Sequence, residues 1–169
     1  TSEEREWGMG CTASLAVFAE LTGPFHIVEQ LVARVEGSEG GESRGMAWAL
    51  GRLAHLAALS GRGALSSRLY EQALRISRRT GDSSGEGFWL GNLAGRFHSD
   101  GDPEGARELY TEALEIARQL GDSRFEGIWM GRLGSLERAQ GNATESKRLY
   151  EGALAIARQL GDLRAEGRW

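Results

Sequence analysis

Apolar positions along this chain fall into helical stripes separated by glycine breaks. Between residues 85 and 99, Leu90, Leu93, Ala94 and Phe97 recur at i, i+3, i+4 and i+7, so all four share one face of a helix. Gly101-Asp102-Pro103 interrupts the pattern: Asp102 suits an N-cap and Pro103 suits the first helical turn. A second stripe follows over about 103–119, where Tyr110, Ala113, Leu114 and Ala117 share a face. Gly121 then stops the helix, and Asp122 is placed to cap the next one. Neighbouring segments break in the same register, at Gly61-Arg62-Gly63 and at Gly141-Asn142.

These stripes repeat. Leu69-Tyr70-Glu71-Gln72-Ala73-Leu74-Arg75-Ile76 returns 40 residues later as Leu109-Tyr110-Thr111-Glu112-Ala113-Leu114-Glu115-Ile116, and again as Leu149-Tyr150-Glu151-Gly152-Ala153-Leu154-Ala155-Ile156. Gly81-Asp82, Gly121-Asp122 and Gly161-Asp162 keep the step, as do Gly51, Gly91 and Gly131, and Trp89, Trp129 and Trp169. Trp7 and Trp48 belong to the same series, displaced by two residues and by one. Each unit therefore predicts two helices. One hairpin cannot bury its own apolar stripe, but stacked hairpins can, which makes stability a nearest-neighbour property. The expected class is all-α, with residues 1–169 forming a single array. Residues 1–41 make a divergent first hairpin with its second helix at Phe25–Glu36. Residues 42–82, 83–122 and 123–162 are regular repeats, and 163–169 open a further helix.

Composition sharpens this picture. Glycine occurs 25 times and proline twice, an odd balance for helices, since an interior Gly costs about 0.5–1 kcal/mol relative to Ala. Gly51, Gly91 and Gly131 sit inside predicted helices, so something must approach the backbone closely there. Packing of a neighbouring helix is the first reading and approach of a ligand the second. The recurring Tyr with Ala three residues on suits a ring packed against a close helix crossing, and Trp89, Trp129 and Trp169 read as core between hairpins. A net charge of −4 and a pI near 5.5 argue against a general phosphate-binding surface and hence against nucleic acid. No apolar run reaches the roughly 18 residues that span a bilayer, and no signal segment opens the chain. Cys11 stands alone and reads as a buried, inert thiol, which fits a reducing cytoplasmic setting.

Chemistry-bearing motifs are lacking. His26, His55 and His98 share no spacing and have no Cys or carboxylate set beside them, so neither a metal nor another cofactor is expected. Gly37-Ser38-Glu39-Gly40-Gly41 lacks the Lys and the preceding strand of a phosphate loop and reads as a connection between hairpins. Glu3-Glu4 and the acidic stretch Glu39–Glu42 read as first-turn helix charges. Asn142-Ala143-Thr144 fits the glycosylation triplet, which a cytoplasmic chain does not use. With no nucleophile elbow or acid–base constellation, the chain is not expected to be an enzyme.

The repeat resembles the tetratricopeptide repeat. The likeness is carried by Leu53-Ala54, Leu93-Ala94 and Leu133-Gly134, by a Gly seven residues on (Gly61, Gly101, Gly141), by a small residue five further (Ser66, Ala106, Ser146), and by the Tyr and Ala above. It is good over 42–169 and loose before. The 40-residue unit with its Gly-Asp turn is longer than the common form of about 34 residues. It is similar to the variety found in kinesin light chains, Leu-Gly-Asn-rich spindle-orientation adaptors and bacterial multidomain regulators. The resemblance implies a right-handed α-solenoid of stacked antiparallel hairpins whose first helices line a concave surface. It also implies a scaffold that binds a peptide or protein partner.

On those first helices a second stripe runs Trp48, Arg52, His55, Leu59, then Phe88, Asn92, Gly95, Ser99, then Ile128, Arg132, Ser135, Ala139. Spacings of four, three and four keep each set on one face. Asn and Arg can pair with peptide groups and carboxylates, while the row Trp48–Phe88–Ile128 can take apolar side chains. Arg52, Asn92 and Arg132 fall where chaperone-binding members grip a partner's C-terminal carboxylate. The Lys residues those members carry one turn earlier are replaced by Trp48, Phe88 and Ile128. The expected ligand is therefore an extended or helical segment of mixed apolar and acidic character, bound by Trp48, Arg52, His55, Phe88, Asn92, Ile128, Arg132 and Ser135.

The last residues, Glu166-Gly167-Arg168-Trp169, match Glu126-Gly127-Ile128-Trp129, and Thr1 is not an initiator Met. A fragment of a longer protein or a processed chain is expected. The alternative to a binding scaffold is a structural array that self-associates, head to tail or end to end, to cover an uncapped hairpin.

Overall fold

The computed structural model describes residues 30, 32–34 and 43–167, and every described element is helical. The helices are α1 (Arg44–Leu59), α2 (Gly63–Thr80), α3 (Ser83–Ser99), α4 (Pro103–Leu120), α5 (Ser123–Ala139), α6 (Ala143–Leu160) and the short α7 (Leu163–Glu166). α3 and α4 begin and end within two residues of the predicted segments 85–99 and about 103–119. Residues 30 and 32–34 are helical, inside the expected Phe25–Glu36 helix. The expectations for Trp7, Cys11, His26, the 37–41 connection, the early acidic stretches and Trp169 lie outside the described residues.

One local device makes every break. Gly61, Gly81, Gly101, Gly121, Gly141 and Gly161 all have positive φ, between 65° and 87°, with open space where a Cβ would be. Backbone conformation alone therefore selects glycine there. At Gly121 the N–H donates to the Arg118 carbonyl (3.1 Å), and the next N–H, of Asp122, donates to that of Ala117 (2.9 Å). Two carbonyls left open at the helix end are satisfied in this way, and the other five glycines do the same. The Asp that follows starts the next helix. Asp82 accepts from the Gly85 N–H (3.2 Å), Asp102 from that of Gly105 (2.9 Å), Asp122 from that of Phe125 (3.1 Å) and Asp162 from that of Ala165 (3.0 Å). An ion pair also spans three of the four Gly-Asp turns: Arg78–Glu86 (2.7 Å), Arg118–Glu126 (2.8 Å) and Arg158–Glu166 (3.0 Å). These pairs are largely solvated and contribute little to stability, about 0–1 kcal/mol each.

The chain divides into two compact units, Thr1–Trp89 and Leu90–Trp169. In the first, α1 packs on α2 through Leu50, Leu53, Ala54 and Ala57 on one side and Leu69, Tyr70, Ala73 and Leu74 on the other, all buried. Fully buried alanines let the two backbones approach closely. Trp89 enters this core, and its six-membered ring lies directly over Gly51, where a Cβ would come within 2.2 Å of it. In the second unit α5 packs between α4 and α6, and α7 packs on α6. Its core is built from the same positions, with Leu90, Leu93, Ala94, Tyr110, Ala113, Leu114, Leu133 and Ala153 buried. Here Trp129 lies over Gly91, with a would-be Cβ 2.4 Å from its ring. Gly51 and Gly91 are thus required by packing of an indole 38 residues further along, which settles for these two the choice between helix packing and ligand approach.

Candidate peptide-binding surface

Of the residues expected to bind, His55 and Arg132 are exposed, whereas Trp48, Arg52, Phe88, Asn92, Ile128 and Ser135 are half-buried. In the first unit Trp48 and Arg52 on α1 are half-buried and His55 is exposed, while Phe88 on α3 is half-buried. Trp48 and Phe88 are brought together: their rings stack with centroids 5.3 Å apart and planes at 24°. Both meet Trp89 edge-on, at 4.8 Å and 4.7 Å. The three rings form one cluster with different degrees of exposure. Trp89 is sealed at 1% exposure, whereas Trp48 and Phe88 keep part of their rings at the surface.

In the second unit Asn92 on α3 and Ile128 on α5 are half-buried, and Arg132, one turn beyond Ile128, is exposed. The Arg132 charge acts on Tyr110: burial raises the phenol pKa above its ordinary value, and Arg132 pulls it back in part. Ser135 is already engaged inside its own hairpin. Its hydroxyl lies 3.2 Å from the Gly131 carbonyl as donor and 2.9 Å from the Tyr150 hydroxyl. It ties α5 to α6 more than it offers a hydrogen bond outward.

Beside this surface lies a polar cluster that periodicity does not single out. Glu137 on α5 is a buried carboxylate, 5% exposed. Arg107 on α4 donates to it at 2.7 Å and the Asn142 side chain at 2.6 Å. The Arg107 hydrogen bond holds the Glu137 carboxyl below the usual carboxylate range, burial opposes that, and Asn142 adds to it. Arg107 also reaches Glu104 at 2.6 Å, and its own pKa is raised mainly by the bond to Glu137. The repeat register holds the signal: Glu137 stands where the two preceding repeats have Ala57 and Phe97. A charge in an apolar register position implies a buried partner, here an arginine 30 residues away. Asp82 likewise does more than cap a helix, being 3% exposed with Arg44 3.4 Å away.

Among the described residues no group of three or more His, Cys, Asp or Glu side chains could hold a metal ion. No described helix is long and apolar enough to cross a membrane.

Comparison with known proteins agrees with this architecture. Two models of the tetratricopeptide repeat match, one over residues 45–119 and one over 129–160. Among solved structures, BtubC (BKLC) from P. vanneervenii superposes with a TM-score of 0.75 at 21% identity, covering 94% of this chain and 74% of that one. A kinesin light chain-like protein of Podosopora anserina with nearly identical TPR-like repeats superposes with a TM-score of 0.74 at 20% identity, covering 91% and 77%. A point variant of that protein gives 0.75 at 20% identity, covering 91% and 76%. The fold class is therefore that of the all-α solenoid of stacked helix hairpins. No curated protein matches the sequence.

Proposed function

Because this chain belongs to the tetratricopeptide repeat family, whose repeats mediate protein–protein interaction, we propose that it binds a peptide segment of a partner along the outward faces of its first helices. The observation that carries the reading is the stacked pair Trp48–Phe88, with rings 5.3 Å apart and part of each left at the surface. Burying the remaining aromatic surface is favourable, at about 25 cal/mol per Å2. Arg52 follows Trp48 by one turn, as Arg132 follows Ile128 in the second unit. An apolar contact with a forked donor one turn on suits a segment that alternates apolar and acidic side chains. The role is binding, with no catalytic step.

Selection from a displayed random peptide library is the direct test. Enriched peptides should combine aromatic or aliphatic residues with Asp or Glu. The double substitution Arg52→Ala with Arg132→Ala should weaken them by about tenfold or more, about 1.4 kcal/mol. Enrichment of basic peptides, or a double variant that binds unchanged, refutes the proposal. Self-association is the competing reading. It is favoured by Leu120, Leu160 and Leu163 of the second unit, which are 49%, 51% and 80% exposed. Sedimentation at monomer mass across a wide concentration range eliminates it.

A further inference from the structure

We propose that a cavity beside Ala165 is a docking pocket for a partner's aromatic side chain carried next to a carboxylate. The case begins with a repeat position filled differently each time: Gly85, Phe125 and Ala165 are 40 residues apart in sequence. Phe125 sets a ring at this position of α5, half-buried and stacked on Trp129 with centroids 5.8 Å apart and planes at 14°. In α7 the same position carries only the methyl of Ala165. A cavity of about 230 Å3 lies beside it, walled by Ile128, Ile156 and Leu160. Gly127 keeps the wall thin, since a Cβ there would approach the Ile156 Cγ2 to 3.2 Å. Apolar cavities of about 150 Å3 already admit benzene, so a phenyl ring fits. Phe125 demonstrates that the repeat accepts a ring in this register.

The rim supplies the second half of the recognition. Arg124 and Arg164 line the cavity and are exposed. Neither side chain has an ion-pair partner among the described residues, whereas Arg118 and Arg158 are held by Glu126 and Glu166. Asp162 is the carboxylate among the described lining residues, and its oxygen is turned to the N–H groups of Arg164 (3.1 Å) and Ala165 (3.0 Å) as a helix cap. An uncommitted guanidinium pair above an apolar hole matches a benzyl group with a carboxylate close by. In a protein partner this is a Phe adjoining Asp or Glu. The pocket shares Ile128 with the binding face proposed above but does not involve Arg52 or Arg132, so loss of peptide binding in the Arg52/Arg132 double variant and loss of the pocket are read by different experiments.

The experiment is an amide-resolved NMR titration of the full 169-residue chain with 3-phenylpropionate, with 3-phenylpropan-1-ol as the uncharged analogue. Saturable shifts confined to the surroundings of Gly127, Ala153 and Ala165 are expected. The alcohol should bind about three- to fivefold more weakly, the scale of an exposed charge contact. Ala165→Phe, which supplies the ring from within, should abolish the shifts. Arg124→Gln with Arg164→Gln leaves the apolar walls untouched and should bring the acid to the level of the alcohol. The absence of saturable shifts overturns the proposal, as does equal binding of acid and alcohol or undiminished binding by Ala165→Phe.

Discussion

Gly91→Ala should destabilise the protein, although helix propensity alone says the opposite. Gly91 lies within α3, where replacing Gly by Ala ordinarily gains about 1 kcal/mol. Here the new Cβ would stand 2.4 Å from Cη2, 2.5 Å from Cζ2 and 2.6 Å from Cζ3 of Trp129. Carbon atoms sit comfortably at about 3.5–4.0 Å, so the indole must retreat by about 1 Å. It has little room, being 4% exposed and backed by Phe125 at 5.8 Å and Tyr110 at 6.2 Å. Overpacking of this kind costs about 1–3 kcal/mol, occasionally more. Set against the gain in propensity, the net loss should be about 0–2 kcal/mol. Gly95 is the internal control. It lies one turn further along α3, and a Cβ there would meet only the Tyr110 hydroxyl at 3.4 Å, so Gly95→Ala should stabilise by up to about 1 kcal/mol. Urea denaturation followed by circular dichroism measures both, and a cycle with Trp129→Leu isolates the clash. On that background Gly91→Ala should become neutral or stabilising. Stabilisation by Gly91→Ala in the wild-type chain, or a penalty that persists without the indole, would refute the reasoning.

Two further outcomes follow from the second unit. Tyr110→Ala should cost about 3–5 kcal/mol in a denaturant melt, the range for deleting a buried aromatic, since Tyr110 is 4% exposed; a change near zero would place it outside the core. Glu137→Gln should cost about 2 kcal/mol at neutral pH through loss of a charged hydrogen bond. The folded carboxyl titrates below its unfolded value, so its contribution is present above the unfolded pKa and disappears as pH falls through the folded one. Stability of wild type and Glu137→Gln should therefore converge on acidification, and parallel curves down to about pH 3 would show that the pair with Arg107 is not formed.

The fold was legible because its signals are local and repeat. A helix stop needs only a Gly at positive φ and a start needs only an Asp, so Gly121-Asp122 announced both in adjacent letters. The apolar stripes 90–97 and 110–117 mark buried positions at every member but Phe97, which is half-buried. What escaped the reading depends on distant partners. A glycine inside a helix, as at Gly51 and Gly91, implies a close approach, but the indoles that require these two come 38 residues later, in the next hairpin. Glu137 owes its burial to Arg107, 30 residues away, and to Asn142, and helical spacing within α5 points to neither. For the candidate surface, spacing alone placed Trp48 and Arg52 on one face. It did not tell that Phe88 would stack on Trp48, or that Ser135 would turn to Tyr150.

Hydrogen exchange of the chain bound to a library-selected peptide tests the central claim most directly, that partners are held on the first helices of the hairpins. New protection should concentrate on α1, α3 and α5, around Trp48, Phe88 and Ile128, with α2, α4 and α6 little changed. Protection confined to α2, α4 and α6 would contradict it.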